Sequence, residues 1–317
     1  MTTIKSVLVA IDFSPGSLAA LDCATGLARR FSARLLAVHV ARPYTTYDPL
    51  PAFPTPAPLD PERQRTIRED LRRLVESPGS EHPPAEVFVR EGDPADEILA
   101  LAAEEGVDLI VLGTHGHRGF ERWILGSVTE RVARKASCSV LGVPPAVRIA
   151  TFERVLSGLD LSDSSATTLK LAAALAQTLA AGLTLLYVAD GSHWYEPGPV
   201  SGVDTDGVRQ AVAAFARDRL GELIARHVPK GIPVDVQVAF GRAPREIERV
   251  AAEGADLVVL GASSSRAVDR FFFGSTAQHV LRAGVGPVLL VRPVRVSAET
   301  TGARKEHESL PLGSSGP

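Results

Sequence analysis

The stretch SVLVAIDFS, residues 6–14, is an apolar run that ends in an acidic residue and a serine, and it returns as RVLSGLDLS at residues 154–162. Three pairs of matching anchors are each 148 residues apart: Asp12 and Asp160, Gly113 and Gly261, and Gly126 and Gly274. Self-similarity at one fixed offset marks a repeated structural unit, so the sequence predicts a tandem duplication with halves at 1–147 and 148–296. Residues 297–317 lack periodicity and are expected to form a disordered tail.

Both halves alternate short apolar runs with segments of helical periodicity. The apolar runs are rich in β-branched residues, as expected of parallel strands that are buried on both faces. The predicted strands are Val7–Ile11, Leu35–Val40, Glu86–Arg90, Val107–Leu112, Val140–Val143, Val155–Leu159, Leu183–Val188, Val234–Val238, Leu257–Leu260 and Val288–Val291. Strands that alternate with helices predict an α/β fold with a doubly wound parallel sheet, in which ligands bind beyond the carboxyl ends of the strands.

Composition excludes several classes of protein. The net charge is −3 and no block of Lys or Arg is long enough to follow a phosphate backbone, so nucleic acid is not an expected partner. Two cysteines, Cys23 and Cys138, are too few for a disulfide scaffold and suit a reducing compartment. The N-terminus shows no secretory signal, and no stretch reaches the roughly 20 apolar residues of a membrane helix. We therefore expect a cytoplasmic protein without a membrane span.

Two segments interrupt the alternation of strands and helices. Residues 42–61 contain seven prolines, too many for a helix or a central strand. Because this segment follows the second predicted strand, it is either a lid over the ligand crevice or an inert linker. Residues 191–207 occupy the matching place in the second half and carry Trp194 and Tyr195.

The segment after the fourth predicted strand carries the chemistry. It reads Gly113-Thr-His-Gly116, nine further residues, and then Gly126-Ser-Val-Thr129. Glycines let backbone N–H groups approach a ligand, and the start of a helix at Gly126 favours phosphate oxygens. The hydroxyls of Ser127 and Thr129 would add donors. The segment has neither the lysine of a Walker A loop nor a GxGxxG fingerprint, so it predicts an anion site made of backbone amides and hydroxyls, without a cationic side chain. Arg118 and Arg122, within the nine-residue span, either form a solvated face or reach a terminal phosphate.

This spacing of glycines, in an α/β domain whose first strand ends at Asp12, resembles the nucleotide-binding branch of the universal stress protein family. The resemblance covers nearly the whole chain, twice. It implies two tandem, open-twisted, five-stranded parallel sheets with helices on both faces, Rossmann-like and similar to adenine nucleotide alpha hydrolases, with ATP at the strand ends. The family assembles through its last strands, so Val140–Val143 and Val288–Val291 are expected to join the halves into an internal pseudo-dimer. Exposed sheet edges would then make a homodimer reasonable.

The resemblance also implies individual ligand contacts. Asp12 would bind ribose hydroxyls, and the main chain of Val40 would read the adenine edge. Ala10 and Ile11 would wall the base. The positions that match the ribose and phosphate loop are Gly113, Gly116, Gly126, Ser127, Val128 and Thr129. The counterparts in the second half are Asp160, Val188, Gly261, Ser264, Gly274 and Ser275. Ser264 replaces the second glycine and Ala277 replaces the threonine, which weakens the expectation for the second half.

Other conspicuous residues have simpler explanations. His115 and His117 have no further His or Cys close by in the sequence, so we expect solvated loop histidines and no metal site. Asp12 and the Gly126-Ser127 pair could instead serve only as helix caps. Packing is the expected role of His39, Cys23, Cys138, Trp123 and Phe271–Phe273, although the aromatic residues could also form a patch for a partner.

No catalytic residue can be assigned, because no Ser-His-Asp set, GxSxG motif or metal-ligand spacing is visible. The predicted function is an ATP-binding regulator of stress or signalling without a dedicated catalytic cycle. Mg²⁺ would be held by the phosphates and Ser127, and an unidentified protein would read the bound state. One alternative is a structural or chaperone-like stress protein that binds no nucleotide. The other is a slow ATP hydrolase, for which only His115 and His117 are available near the loop.

Overall fold

A computed structural model describes residues 4–42, 44–46, 55–57, 59–76, 84–115, 125–145, 147, 152–190, 205–262 and 274–292. The predicted ligand positions Gly116 and Ser264 lie outside these residues, as do His117, Trp123, Phe271–Phe273 and the tail. Trp194, Tyr195 and half of the proline-rich segment also lie outside them, so the choice between lid and linker stays a prediction.

The described elements follow the predicted alternation in both halves. The first half contains β1 Ser6–Ala10, α1 Pro15–Phe31, β2 Arg34–Ala41, β3 Tyr44–Thr46, β4 Thr55–Ala57, α2 Pro61–Val75, β5 Ala85–Glu91, α3 Pro94–Glu104, β6 Leu109–Gly113, α4 Ser127–Lys135 and β7 Ser139–Val143. The second half contains β8 Arg154–Leu159, α5 Ser165–Leu179, β9 Gly182–Ala189, α6 Thr205–His227, β10 Val234–Phe240, α7 Ala243–Ala252, β11 Leu257–Gly261, α8 Ser275–Ala283 and β12 Val288–Val291. The short strands β3 and β4 form a separate antiparallel pair within the proline-rich segment.

The two predicted five-stranded sheets join into one. The strand order is β10-β9-β8-β11-β12-β7-β6-β1-β2-β5, and neighbouring strands are parallel except at the centre. There β7 and β12 pair antiparallel, with Leu141 opposite Leu289. These two residues are 148 positions apart, so the pseudo-two-fold axis passes between them. The predicted α/β architecture and the pairing of the last strands are confirmed.

Helices cover both faces of this sheet because strand residues alternate in direction. Val7 and Val9 of β1 join a core with α1, α2, α5 and α6, whereas Leu8 joins a core with α3, α4, α7 and α8. Both cores run through the two halves, as expected when a central strand is apolar on both faces.

The duplication extends to unusual backbone geometry. Four non-glycine residues among those described have positive φ, a conformation that is uncommon for L-residues. They form two pairs, each 148 residues apart: Phe13 at 61° with Leu161 at 59°, and Ser32 at 52° with Ala180 at 54°. Ser32 and Ala180 end α1 and α5 as left-handed caps. The left-handed turn directly after the predicted acidic residue is therefore built into both halves.

A buried serine on β8 offers a stability prediction. Ser157 is fully buried, and its hydroxyl has no hydrogen-bond partner among the described residues. We expect Ser157→Ala to raise the free energy of unfolding by about 1 kcal/mol in chemical denaturation, because an unsatisfied buried hydroxyl loses its hydration without compensation. Ser6, on the matching strand of the first half, is the control, since its hydroxyl contacts Gly106 and Asp108. Ser6→Ala should lower stability by about 1 kcal/mol. A loss in both variants would contradict the prediction.

Candidate functional site

A cavity of about 780 Å³ lies beyond the carboxyl ends of β1, β2 and β6. Its volume is in the range of about 300–1,000 Å³ that small-molecule sites occupy. Nine of the predicted ligand residues line it: Ala10, Ile11, Asp12, Val40, Gly113, Gly126, Ser127, Val128 and Thr129. The structure thus brings together the predicted set from separate parts of the first half, apart from Gly116, which lies outside the described residues.

Sheet topology explains this position. Strand β1 lies between β2 and β6, so the order of the strands reverses on either side of it. Helix α1 then packs on one face and α3 on the other, which opens a crevice at the strand ends.

The acidic wall of the cavity is shaped by the turn into α1. The carboxylate of Asp12 accepts a hydrogen bond from the backbone N–H of Ser14 at 3.0 Å. Ser14 itself caps the helix, because its hydroxyl oxygen accepts from the N–H of Ser17 at 3.3 Å. The capping role therefore belongs to Ser14, and Asp12 remains a cavity residue.

A hydrogen bond to the main chain orients the ring of His39 beside this wall. Its Nδ1 lies 2.8 Å from the carbonyl oxygen of Ile11, which can only accept, so Nδ1 carries the hydrogen. Burial lowers the pKa of His39 and outweighs the opposing effects of that hydrogen bond and of Asp12. The ring also packs 5.2 Å from that of Phe13, centroid to centroid. His39 is thus a packed and hydrogen-bonded histidine, as predicted, although it also lines the cavity.

Hydrogen bonds between the loop and α4 close the other end of the cavity. The N–H of Gly126 donates to the carbonyl of Thr114 at 2.8 Å, and the N–H of Thr114 donates to Val143 at 2.9 Å. The buried hydroxyl of Thr129, which we expected to donate to phosphate, donates instead to the carbonyl of Gly113 at 2.7 Å. This hydroxyl therefore fixes the loop on the helix.

The first turn of α4 offers donors to the cavity. Gly126 occupies the N-cap position, and no side chain among the described residues caps the helix there. The N–H groups of the first helical residues, Ser127, Val128 and Thr129, would otherwise be satisfied by such a cap. The positive end of the helix dipole adds to their attraction for an anion. This end of the cavity is suited to phosphate oxygens.

Sequence reasoning missed a glycine contact that shapes the loop. A Cβ at Gly16, in the first turn of α1, would collide with the carbonyl oxygen of His115. A Cβ at Gly113 would lie 2.6 Å from the carbonyl carbon of Gly16. The backbones of α1 and the loop therefore touch directly. The second half has Ser164 at the matching position, a difference visible in the sequence whose meaning needs the structure.

The cavity also contains cationic side chains that the sequence argument did not place there. Arg63, on α2, and Arg42, which follows β2, both line it. Arg63 is close enough to His39 to contribute to the lowering of its pKa, so this arginine lies on the side of Asp12 and β2. The cavity as a whole therefore has cationic side chains in its wall, while a phosphate site of amides and hydroxyls around Gly113–Thr129 stays a prediction.

The second half has a smaller cavity at the matching place. Its volume is about 150 Å³, below the range of ordinary ligand sites. Five of the predicted counterparts line it: Asp160, Val188, Gly261, Gly274 and Ser275. No residue of α6 is among its lining residues, whereas Arg63 and Ile67 of α2 line the first cavity.

In this smaller cavity, serine hydroxyls donate hydrogen bonds to the carboxylate of Asp160. Asp160 Oδ1 accepts from the hydroxyls of Ser162 at 2.5 Å and Ser165 at 2.8 Å, and from the N–H of Ser162 at 3.1 Å. Burial acts to raise the pKa of Asp160, but these hydrogen bonds outweigh it and hold the pKa below its usual value. Helix α5 begins at Ser165, two residues later than the position that matches the start of α1 at Pro15. Asp163 stands at that matching position, and the serine hydroxyls on either side of it are available to Asp160.

Within the described residues, no cluster of three or more His, Cys, Asp or Glu side chains could hold a metal ion. Within the same ranges, no helix has both the length and the apolar character to cross a bilayer.

Comparison with known proteins assigns the family. The model of the universal stress protein family matches residues 3–144 and again residues 151–292. The chain belongs to the universal stress protein family. Single-domain relatives match about half of it: the Bacillus subtilis universal stress protein YxiE is 36% identical over 43% of this chain and 97% of its own length. The Methanocaldococcus jannaschii universal stress protein MJ0531 is 33% identical over 44% of this chain and 81% of its own length.

Solved structures match the tandem arrangement as a whole. A functionally unknown protein, PA1789 of Pseudomonas aeruginosa, has a TM-score of 0.66 at 18% identity and covers 92% of this chain and 93% of its own. A universal stress protein of Archaeoglobus fulgidus has a TM-score of 0.62 at 20% identity, with 92% and 97% covered. At these identities the likeness establishes the shared fold.

Proposed function

We propose that this universal stress protein binds ATP in the first cavity and acts as a nucleotide-dependent regulator. One observation supports the proposal: Asp12 and the start of α4 line the same cavity of about 780 Å³. One end presents Asp12, a group suited to hydroxyls, and the other presents the uncapped start of α4, a group of donors suited to phosphates.

In this proposal each part of the nucleotide has its own set of contacts. Asp12 accepts from the ribose hydroxyls, and the main chain of Val40 contacts the adenine edge between the apolar walls of Ala10 and Ile11. The N–H groups of residues 127–129 bind the phosphates. The hydroxyl of Ser127, which is exposed, would help to hold a Mg²⁺ ion that offsets the charge of the phosphates.

The second half takes a different role in the proposal. Its cavity of about 150 Å³ is too small for a nucleotide, and Asp160 already accepts from two hydroxyls. A ribose would have to displace these internal hydrogen bonds and open the cavity. We therefore propose one nucleotide per chain, in the first half.

Regulation, rather than turnover, fits the first cavity. His39 is committed to the carbonyl of Ile11, and the Nδ1 of His115, a second histidine that lines the cavity, lies 2.9 Å from the hydroxyl of Thr114. Asp12 takes the ribose in this proposal. A bound nucleotide would order the loop after β6 and thereby change a surface that another cytoplasmic protein reads.

Mass spectrometry of freshly purified, denatured protein tests the function. We expect ATP to be released at about one molecule per chain. Release of AMP or ADP would favour the hydrolase alternative, and two molecules of ATP per chain would contradict the one-site proposal. Absence of any nucleotide, together with no binding of added ATP in calorimetry, would favour the structural alternative.

A further inference from the structure

Helix α4, whose first turn lines the first cavity, is held at its far end by the second half. Arg292 follows β12, and its Nη2 donates to the carbonyl oxygens of Ala133 at 2.9 Å and Arg134 at 2.7 Å. These carbonyls belong to the last turn of α4, where a cation complements the negative end of the helix dipole. The matching position in the first half is Pro144, so α8 receives no such contact in return.

The second half also contacts the first turn of α4, at Glu130. The Nε2 of Gln278 donates to Glu130 Oε1 at 3.0 Å, and the Nη2 of Arg282 donates to Oε2 at 3.0 Å. Arg134, the counterpart of Arg282, donates to Oε1 at 3.0 Å. Gln278 is itself the counterpart of Glu130, 148 residues on, so this carboxylate lies where the two halves meet symmetrically.

The identity of these residues makes the contact one-sided. A glutamate at position 278 would place two carboxylates against each other, whereas Gln278 donates and carries no charge. The single carboxylate of Glu130 therefore receives one arginine from each half. The arrangement neutralises a negative charge on α4 and makes that neutralisation depend on the second half.

This charge lies close to the proposed phosphate end. Glu130 directly follows Thr129, which lines the cavity, and an unneutralised carboxylate there would repel a triphosphate. Arg282 removes part of that repulsion and Arg292 holds the other end of the helix. Neither arginine is among the residues that line the first cavity.

We propose that the second half is a positioning unit for the nucleotide site of the first half, acting through Arg282 and Arg292 on α4. Both are positioning residues that set affinity for the phosphates and leave affinity for the nucleoside unchanged. The inference rests on the proposed function, since it concerns how the first cavity holds ATP.

Calorimetric titration of the full chain with ATP and, separately, with adenosine tests this inference. Arg282→Gln should weaken ATP binding by about 3- to 10-fold and leave adenosine binding within about 2-fold, because the effect of a charge near a helix start acts on the anion. Adding Glu130→Gln to that variant should restore ATP affinity, because no carboxylate then remains to be neutralised. Arg249→Gln is the control. Like Arg282, Arg249 forms ion pairs, but its partners Glu246 and Glu253 belong to the second half itself.

Each outcome has a distinct meaning. Equal loss of ATP and adenosine in Arg282→Gln, or no loss of either, would overturn the positioning role while the wild-type titration still supports the proposed function. Lack of rescue by Glu130→Gln would also overturn it. A wild-type protein that binds neither probe would instead refute the proposed function itself.

Discussion

Gly16→Ala is expected to weaken ATP binding to the first cavity by about 100-fold, whereas Gly26→Ala in the same helix leaves it unchanged. The first turn of α1 touches the loop after β6 through backbone alone, and a Cβ at Gly16 collides with the carbonyl oxygen of His115. A backbone carbonyl cannot move aside without displacing the loop that contains Gly113. Displacement of binding groups by about 1 Å commonly costs about two orders of magnitude.

The control separates loss of the site from an effect on the helix. Apart from its own helix, no described residue lies within 4 Å of a Cβ at Gly26, so that alanine should only raise helix stability, by about 0.5–1 kcal/mol. Calorimetric titration with ATP and thermal unfolding of both variants make the comparison. Undiminished ATP affinity in Gly16→Ala would mean that the loop tolerates the displacement, and the assignment of the phosphate end would then fail.

Strand positions were predictable because a parallel strand buried on both faces leaves a continuous apolar run. The run Val7–Ile11 predicted β1 to within one residue at each end, and the cavity at its carboxyl end followed from the topology of alternating strands and helices. The 148-residue offset located the matching last strands, and the family resemblance implied that β7 and β12 pair, as they do.

Contacts between distant segments were not predictable, since they depend on distances that no local pattern records. Gly16 looks like an ordinary residue of a helix start, and Arg63 like one of many solvated charges on α2. In the second cavity, two serine hydroxyls donate to Asp160 where the helix starts two residues later than in the first half. In each case the sequence contained the residue, but only the fold gives it a neighbour.

Gly142→Leu is expected to destabilise the joint between the halves by about 3 kcal/mol or more. Gly142 lies on β7, where a Cβ would collide with a methyl group of Leu281 from α8 and approach Thr114 Cγ2 to 3.0 Å. Leu281 and Gly142 are both buried, and the core around Leu281 contains residues of both halves. A leucine side chain at position 142 therefore cannot turn toward solvent. Overpacking of this kind costs about 1–3 kcal/mol, and more when several atoms are inserted.

The duplication itself supplies the compensating change. The position that matches Gly142 is Leu290, and the position that matches Leu281 is Ala133, so the chain already contains the exchanged pair, with both residues buried in the same core. Leu281→Ala alone should cost about 2–5 kcal/mol by leaving a cavity. Combined with Gly142→Leu, it should give a protein more stable than either single variant, because the new leucine fills the space that the old one vacates. Urea unfolding of the four proteins in this cycle measures the coupling, and simple additivity of the two losses would show that Gly142 and Leu281 do not share that space.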